Sequence, residues 1–195
     1  MHDEQPNATH RGTGRPATID PEAVAAIALR LFEARGYESV SMEDIATAAG
    51  IGRKSLYRYF PTKAALVWGG LDEAVSTSRS LMMQGDVAGD PFGVLLAAGL
   101  APVDHLPDLA VTRGRLLLIG AYEELATLVH AKLKQQRVTV RDYLADTGAD
   151  EDIADYLAAA YSACLFAGWL RWARSDQEDP RPILTRALSV IRLPE

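Results

Sequence analysis

Between Asp20 and Pro61 the chain carries start and stop signals too closely spaced for anything but short helices. Asp20 followed by Pro21 reads as an N-cap with proline at the first helical position, where its missing N–H costs nothing. Val24, Ile27, Ala28, Leu31 and Phe32 then recur at helical spacing until Gly36 stops the run. Ser41, with Asp44 three residues on, has the form of a capping box and opens a second helix through Ile45, Ala46 and Ala49 to Gly50. A third begins near Arg53 or Lys54 and must end by Phe60, because Pro61 pushes the residue before it out of helical angles.

The second and third of these helices meet the steric demands of a helix-turn-helix. Two helices crossing at about 90–120° through a turn of three or four residues need a small side chain at the crossing and a glycine in the turn. Ala46 and Gly50 supply them. Ile45, Ala49, Ile51, Leu56 and Tyr59 are then expected to close a small core, leaving Arg53, Lys54, Ser55, Tyr57 and Arg58 on or near the outer face. An ordinary helical hairpin with a solvated charged face is the alternative that spacing alone allows.

The net charge of −6 argues at first against a nucleic-acid partner. Read by region, it does not. Residues 1–68 carry eight Lys/Arg and eight Asp/Glu, so all the excess acid lies beyond them, and the segment 53–63 holds Arg53, Lys54, Arg58 and Lys63 with no acid. A local cationic surface sits on an acidic protein, and phosphates can dock there.

At 195 residues the chain has room for one ordinary domain or two small ones sharing a core. Residues 1–18, with Pro6, Gly12, Gly14 and Pro16 and with Arg11 and Arg15 as their only Lys/Arg, never settle into an apolar period and read as a flexible tail. Thr62 is placed to cap one long fourth helix through Leu66, Leu71, Val75 and Leu81, ending before Gly85 and the turn at Gly89, Asp90 and Pro91. Helical patterns follow over 91–101, 107–119, 122–146, 150–174 and 181–192, with no competing strand alternation. The expected fold is all-α, with about nine helices.

The most apolar stretch, 156–170, is uncharged but shorter than the roughly 20 residues of a membrane span, so it reads as a buried helix and no membrane partner is expected. The chain opens on no secretory pattern and Cys164 is its single cysteine, which points to the cytoplasm. Cys164 lies among small apolar residues and is expected to pack inertly. His105 and His130 belong to no metal-ligand spacing, and neither a Gly-x-Ser-x-Gly elbow nor a phosphate-binding glycine loop occurs. No cofactor, metal or catalytic residue is expected.

The segment Leu56-Tyr-Arg-Tyr-Phe-Pro-Thr-Lys63-Ala-Ala-Leu66, taken with the helix-turn-helix before it, resembles the TetR family of bacterial repressors over about residues 18–68. The resemblance implies a DNA-binding domain over 19–66 and a helical effector-binding and dimerisation domain over 67–195. It implies operator double-stranded DNA as a partner, a homodimer, and a small-molecule effector whose binding releases the repressor. It assigns DNA contacts to Ser41, Arg53, Lys54, Ser55, Tyr57, Arg58, Tyr59 and Lys63. Arg53 suits a guanine edge or a phosphate, and Lys63 near a helix start suits a phosphate. Tyr57 and Tyr59 are open to a phosphate contact through their hydroxyls, although Tyr59 shares a face with Leu56 and leans toward packing. Glu43 is an acid where relatives often carry a basic or polar residue, and is expected to avoid the DNA backbone. Phe60-Pro-Thr-Lys-Ala-Ala-Leu-Val-Trp-Gly69 and Arg115-Leu-Leu-Leu-Ile119 followed by Glu123-Glu-Leu resemble the subgroup associated with the mycofactocin system, which implies an acyl-coenzyme A effector and a long apolar pocket with a cationic mouth.

Toward the C-terminus Ile153, Tyr156, Leu157, Ala160, Tyr161, Cys164, Leu165, Gly168 and Trp169 form one stripe, and Ile183, Leu184, Ala187, Leu188 and Ile191 another. Helices bearing both are expected to pair with their mates in a dimer, with Ala159, Ala163, Ala167 and Gly168 allowing close approach. Phe92, Leu95, Leu96, Leu116, Leu117, Tyr122, Tyr161 and Phe166 are candidate walls of an effector pocket. A helical enzyme, or an adaptor that binds protein through the cationic face, is the competing reading.

Overall fold

A computed structural model describes residues 20–84, 90–106 and 108–191; the tail 1–18 and the glycine turn around 85–89 lie outside the described residues. Helix α1 (Pro21–Arg35) starts as its sequence requires. Asp20 Oδ1 accepts from the Glu22 and Ala23 amides at 3.0 and 3.3 Å, and Gly36 ends the helix at φ 82°, a conformation that costs glycine little. Its buried face of Val24, Ala25, Ala28 and Phe32 packs on α2 (Met42–Ala48) and on α4 (Lys63–Val67). Helix α3 (Arg53–Tyr59) closes the unit, whose core holds Tyr37, Val40, Ile45, Leu56, Phe60 and Leu66.

The long fourth helix expected from Thr62 onward is broken. Thr62 does cap α4, accepting from the Ala65 amide, but the chain leaves helical geometry at Trp68-Gly69-Gly70 and resumes as α5 (Leu71–Gln84). The physical reason lies across the molecule. A Cβ on Gly69 would stand 3.0 Å from Arg115 Nη2, and one on Gly70, where φ is 80°, would stand 3.2 Å from Nη1. The break makes room for a guanidinium arriving from α7 (Leu109–Ala121), which follows α6 (Pro91–Leu100) and a short 3₁₀ turn (Ala101–Asp104).

The stretch 122–146 is also interrupted, into α8 (Glu123–Ala126), α9 (Val129–Lys132) and α10 (Lys134–Asp146). Between α8 and α9 Thr127 Oγ1 donates to Glu124 O at 2.9 Å and the Leu128 amide bonds to Leu125 O, so local bonds replace the regular ladder. These two broken stretches turn the nine anticipated helices into twelve α-helices among the described residues. The fold class is all-α, with the helix-turn-helix unit at its N-terminal end.

Helix α11 (Glu151–Ala173) is the axis of the C-terminal lobe, packed on α10, on α7 and on α12 (Arg181–Leu188). By length and composition it is the one described helix that can cross a bilayer alone, yet here it spends its apolar face on neighbouring helices. A Cβ on Gly168 would meet Ala187 Cβ at 3.0 Å and Leu184 Cδ2 at 3.1 Å, so this glycine sets a close α11–α12 crossing. Arg113 holds the far end of α11, donating to Trp172 O at 3.1 Å and Ala173 O at 3.2 Å with its guanidinium 4.3 Å from the Trp172 ring. Leu184 and Leu188 are therefore buried inside one chain, and α12 does not present the uncovered apolar stripe that its sequence suggests. The exposed residues of α11 include Tyr156, at 67% exposure, Ala160, and the line Ala159, Ala163 and Ala167.

Candidate nucleic-acid interface and effector cavity

Ser41 holds α2 in place through a reciprocal cap. Its Oγ accepts from the Asp44 amide at 3.1 Å while Asp44 Oδ2 accepts from the Ser41 amide at 2.9 Å and from its hydroxyl. These bonds from Ser41 hold the Asp44 carboxyl below the usual carboxylate range. The helix ends in Gly50 at φ 65°, and the Ile51 amide returns to Ala46 O at 3.0 Å, which aims α3 across α2. Nothing lies within 4 Å of a Cβ built on Gly50, so glycine is needed there for conformation and not for space.

Leu56 and Phe60 anchor α3 inward, at 0% and 6% exposure. Tyr59, which shares a face with Leu56 in the sequence, is instead 39% exposed, because the extended Phe60 takes the core position. Arg53, Lys54, Tyr57, Arg58 and Tyr59 thus form one outward surface with Ser55 half-buried beneath them. Two of the cations rest on the two phenol rings: Arg53 lies 5.6 Å from the Tyr57 centroid and Arg58 lies 5.1 Å from that of Tyr59. Glu43 turns toward Arg53 at 3.8 Å, with both side chains well exposed, a pair worth little in water. Such a face presents guanidinium forks, an ammonium and phenol hydroxyls, which are donors for phosphates and base edges.

Lys63 points elsewhere. Its Nζ donates to Tyr37 O at 2.6 Å and Val40 O at 3.2 Å and sits 4.2 Å from the Tyr37 ring centroid, so it clamps the α1–α2 loop onto the start of α4. Two of its three donors are thus committed within the helix-turn-helix unit, which leaves one for the phosphate contact expected of it. Burial, then the nearby Glu124 charge, pushes the Tyr37 hydroxyl up to about 12, and the ring beneath the ammonium stays neutral at ordinary pH.

Tyr37 also carries the contact to the C-terminal lobe. Its amide donates to the Tyr122 hydroxyl at 3.3 Å, and the two rings stand 5.0 Å apart. A second contact is ionic: Arg115 of α7 meets Glu22 of α1 with both terminal nitrogens, each 3.1 Å from a carboxylate oxygen. Arg115 lines an apolar cavity of about 120 Å³ between α5, α7 and α11, walled by Val75, Leu116, Ile119, Leu165 and Phe166, with Trp68 stacked on Phe166 at 6.0 Å. Ser78 and Gln136 are its other buried polar members, and the Ser78 hydroxyl is 2.8 Å from Ala98 O.

Residues 25–67 match the model of the bacterial regulatory proteins of the tetR family. Over those residues the helix-turn-helix unit is of the tetR type. The mycofactocin biosynthesis regulator MftR of Mycobacterium tuberculosis is 28% identical to this chain over 157 residues, 80% of the chain, and the chain spans 63% of that relative's length. In fold, the fatty acid degradation regulator FadR of Bacillus halodurans superposes with a TM-score of 0.62 at 18% identity, covering 93% of this chain and 96% of its own. FadR of Thermus thermophilus, a TetR-family repressor solved in complex with lauroyl-CoA, does so at 0.54 and 21% identity, covering 88% and 92%.

On this TetR-type scaffold the candidate pocket residues separate. Leu116 and Phe166 line the cavity. Phe92, Leu95, Leu96 and Tyr161 instead surround a second, more open recess with Leu188 and Ile191, where the buried Tyr161 hydroxyl donates to Leu95 O at 2.9 Å and burial raises its pKa. Leu117 is 44% exposed on the outside of α7, and Tyr122 belongs to the interdomain contact. Sequence reasoning missed Trp68, Gly69, Gly70, Ser78, Arg115 and Gln136 as cavity residues. Arg115 left one signal, the second arginine of Arg113-Gly-Arg115 set directly in front of the apolar run Leu116 to Ile119, and the paired glycines 69 and 70 left another.

Proposed function

We propose that this chain is a DNA-binding transcriptional regulator, a repressor that works as a homodimer in the cytoplasm and is released from its operator by a small apolar or amphipathic effector. The observation that carries the reading is the exposed cationic face of α3, set on a helix-turn-helix whose every turn is accounted for by a cap or a glycine. The division into a DNA-binding domain over 19–66 and an effector and dimerisation domain over 67–195 belongs to the same proposal, as do DNA contacts from Ser41, Arg53, Lys54, Ser55, Tyr57, Arg58 and Tyr59. The test is fluorescence anisotropy of the intact chain on duplex DNA from beside its own gene. Binding should weaken steeply with salt, and Arg53→Ala should relax base preference at a cost of about 1–3 kcal/mol. Affinity that ignores both salt and Arg53 removes the reading.

The effector is assigned to the cavity at Arg115 rather than to the recess near Tyr161, because the cavity touches the α4–α5 break that joins the two domains. At about 120 Å³ it is smaller than the ~300–1,000 Å³ usual for ligand pockets, so an effector of any length must push its walls apart. Work done on those walls is differential affinity for two states, the only means by which a ligand shifts an equilibrium. Acyl-coenzyme A compounds of several chain lengths form the screen, in keeping with the lauroyl-CoA of the Thermus regulator. An effector that weakens operator binding must itself bind more weakly to the operator-bound protein by the same factor, and calorimetry with and without DNA reads that equality.

For the dimer, the open line Ala159, Ala163 and Ala167 on α11 is the proposed meeting face. Ala163→Glu should shift sedimentation from dimer to monomer with little change in helix content, while a dimer that persists unchanged places the interface elsewhere.

A further inference from the structure

Among the described residues lining the cavity Arg115 is the one cation, and it is a costly one. Its side chain is 8% exposed, its Nε is buried without a hydrogen-bond partner, and its ionic partner, Glu22, is 36% exposed. The guanidinium is thus held almost out of water, whereas Glu22, on the surface of α1, is not. A buried charge that loses its partner must find another. The cavity is where another can arrive, because Arg115 lines both this apolar space and the small recess that Glu22 also lines.

We propose that the cavity takes a ligand with an apolar body and a free carboxylate, and that the carboxylate replaces Glu22 on Arg115. The inference rests on the effector reading above and narrows it from acyl compounds in general to free acids, since an acyl thioester has no carboxylate to offer Arg115. A planar guanidinium already holding a carboxylate through both terminal nitrogens will hold a second one in the same fork geometry. The exchange balances: one ion pair is broken and one is made, the freed Glu22 gains water, and the apolar body fills space between α5, α7 and α11. The consequence is mechanical. Glu22 belongs to α1 of the DNA-binding domain, and the same guanidinium occupies the space beside Gly69 and Gly70, so the exchange unfastens α1 from α7 at the break where the domains join.

The test uses octanoate and 1-octanol, equal in chain length and different in charge, titrated calorimetrically into the full chain without DNA. Octanoate should bind several-fold more tightly than octanol, less than an unopposed charge-assisted pair gives, because Glu22 must first be displaced. In Glu22→Gln, whose amide competes poorly for Arg115, octanoate should bind several-fold tighter still while octanol is unmoved. Arg115→Gln should erase the preference of acid over alcohol, and circular dichroism on this variant shows whether it folds. Should it not fold, Glu22→Gln decides alone. Equal affinity for acid and alcohol in the natural chain, or acid affinity unchanged by Glu22→Gln, overturns the proposal. If octanoate binds as expected but operator affinity is indifferent to it, the carboxylate site stands and the release reading falls.

Discussion

Leu188→Asp should unfold the C-terminal lobe, not merely separate one protomer from its mate. Leu188 is 5% exposed, within a core that includes Leu95, Tyr161, Leu165 and Leu184, and its Cδ1 lies 2.8 Å from where a Cβ on Gly99 would stand. A carboxylate there would lose that packing and stand among apolar neighbours, with only the recess beside Leu95 and Tyr161 to open it toward water. Truncating such a leucine to alanine already costs ~2–5 kcal/mol, and an unpaired acid in its place should exceed ~4 kcal/mol. Set against a total of ~5–15 kcal/mol for a domain, the loss is decisive. Thermal denaturation at two protein concentrations separates the outcomes. A core defect lowers the Tm by a similar amount at both, whereas a pure interface defect leaves a folded monomer with native helix content. Only the second result would return Leu188 to a dimer contact.

Lys63→Met should lower stability by ~1.5–3 kcal/mol, the range for hydrogen bonds to charged groups, toward its lower end because Lys63 is only half-buried. Methionine keeps the stem that packs beside Tyr37 and removes the ammonium that holds Tyr37 O and Val40 O. The α1–α2 loop then loosens, and with it the seat of α2. For a chain of this size the loss appears as a fall in Tm of roughly 3–10 °C. DNA binding should weaken on all sequences without a change in salt slope. A phosphate ligand behaves in the opposite way: its removal lowers the salt slope by about one and leaves Tm where it was. Measuring both on one variant assigns Lys63 to one role.

The helix ends between Asp20 and Phe60 were legible because each is written in local chemistry: a carboxylate cap, a capping box, a glycine at positive φ, a proline after the last turn. The break at Gly69-Gly70 was harder to read, because helical spacing runs straight through it from Leu66 to Val75 and outweighs the paired glycines, whose neighbour is a guanidinium 45 residues further on. Tyr59 was misplaced for a related reason. A seven-residue helix that ends in an extended residue lets Phe60 swing into the position that continued helical periodicity assigns to its neighbour. The cavity divided the candidate pocket residues because α7 buries Arg115, Leu116 and Ile119 while turning Leu117 outward, and the sequence of an almost wholly apolar helix does not say which side faces in.

The central claim, that α3 reads DNA sequence, is tested most directly by selection of the intact chain on a pool of randomised duplexes at physiological salt. The expected result is a near-palindrome with two half-sites centred about 10–10.5 base pairs apart or a multiple of that, as two symmetry-related recognition helices require, and its loss from the pool selected with Arg53→Ala. Duplexes recovered with no sequence enriched over the starting pool would contradict it.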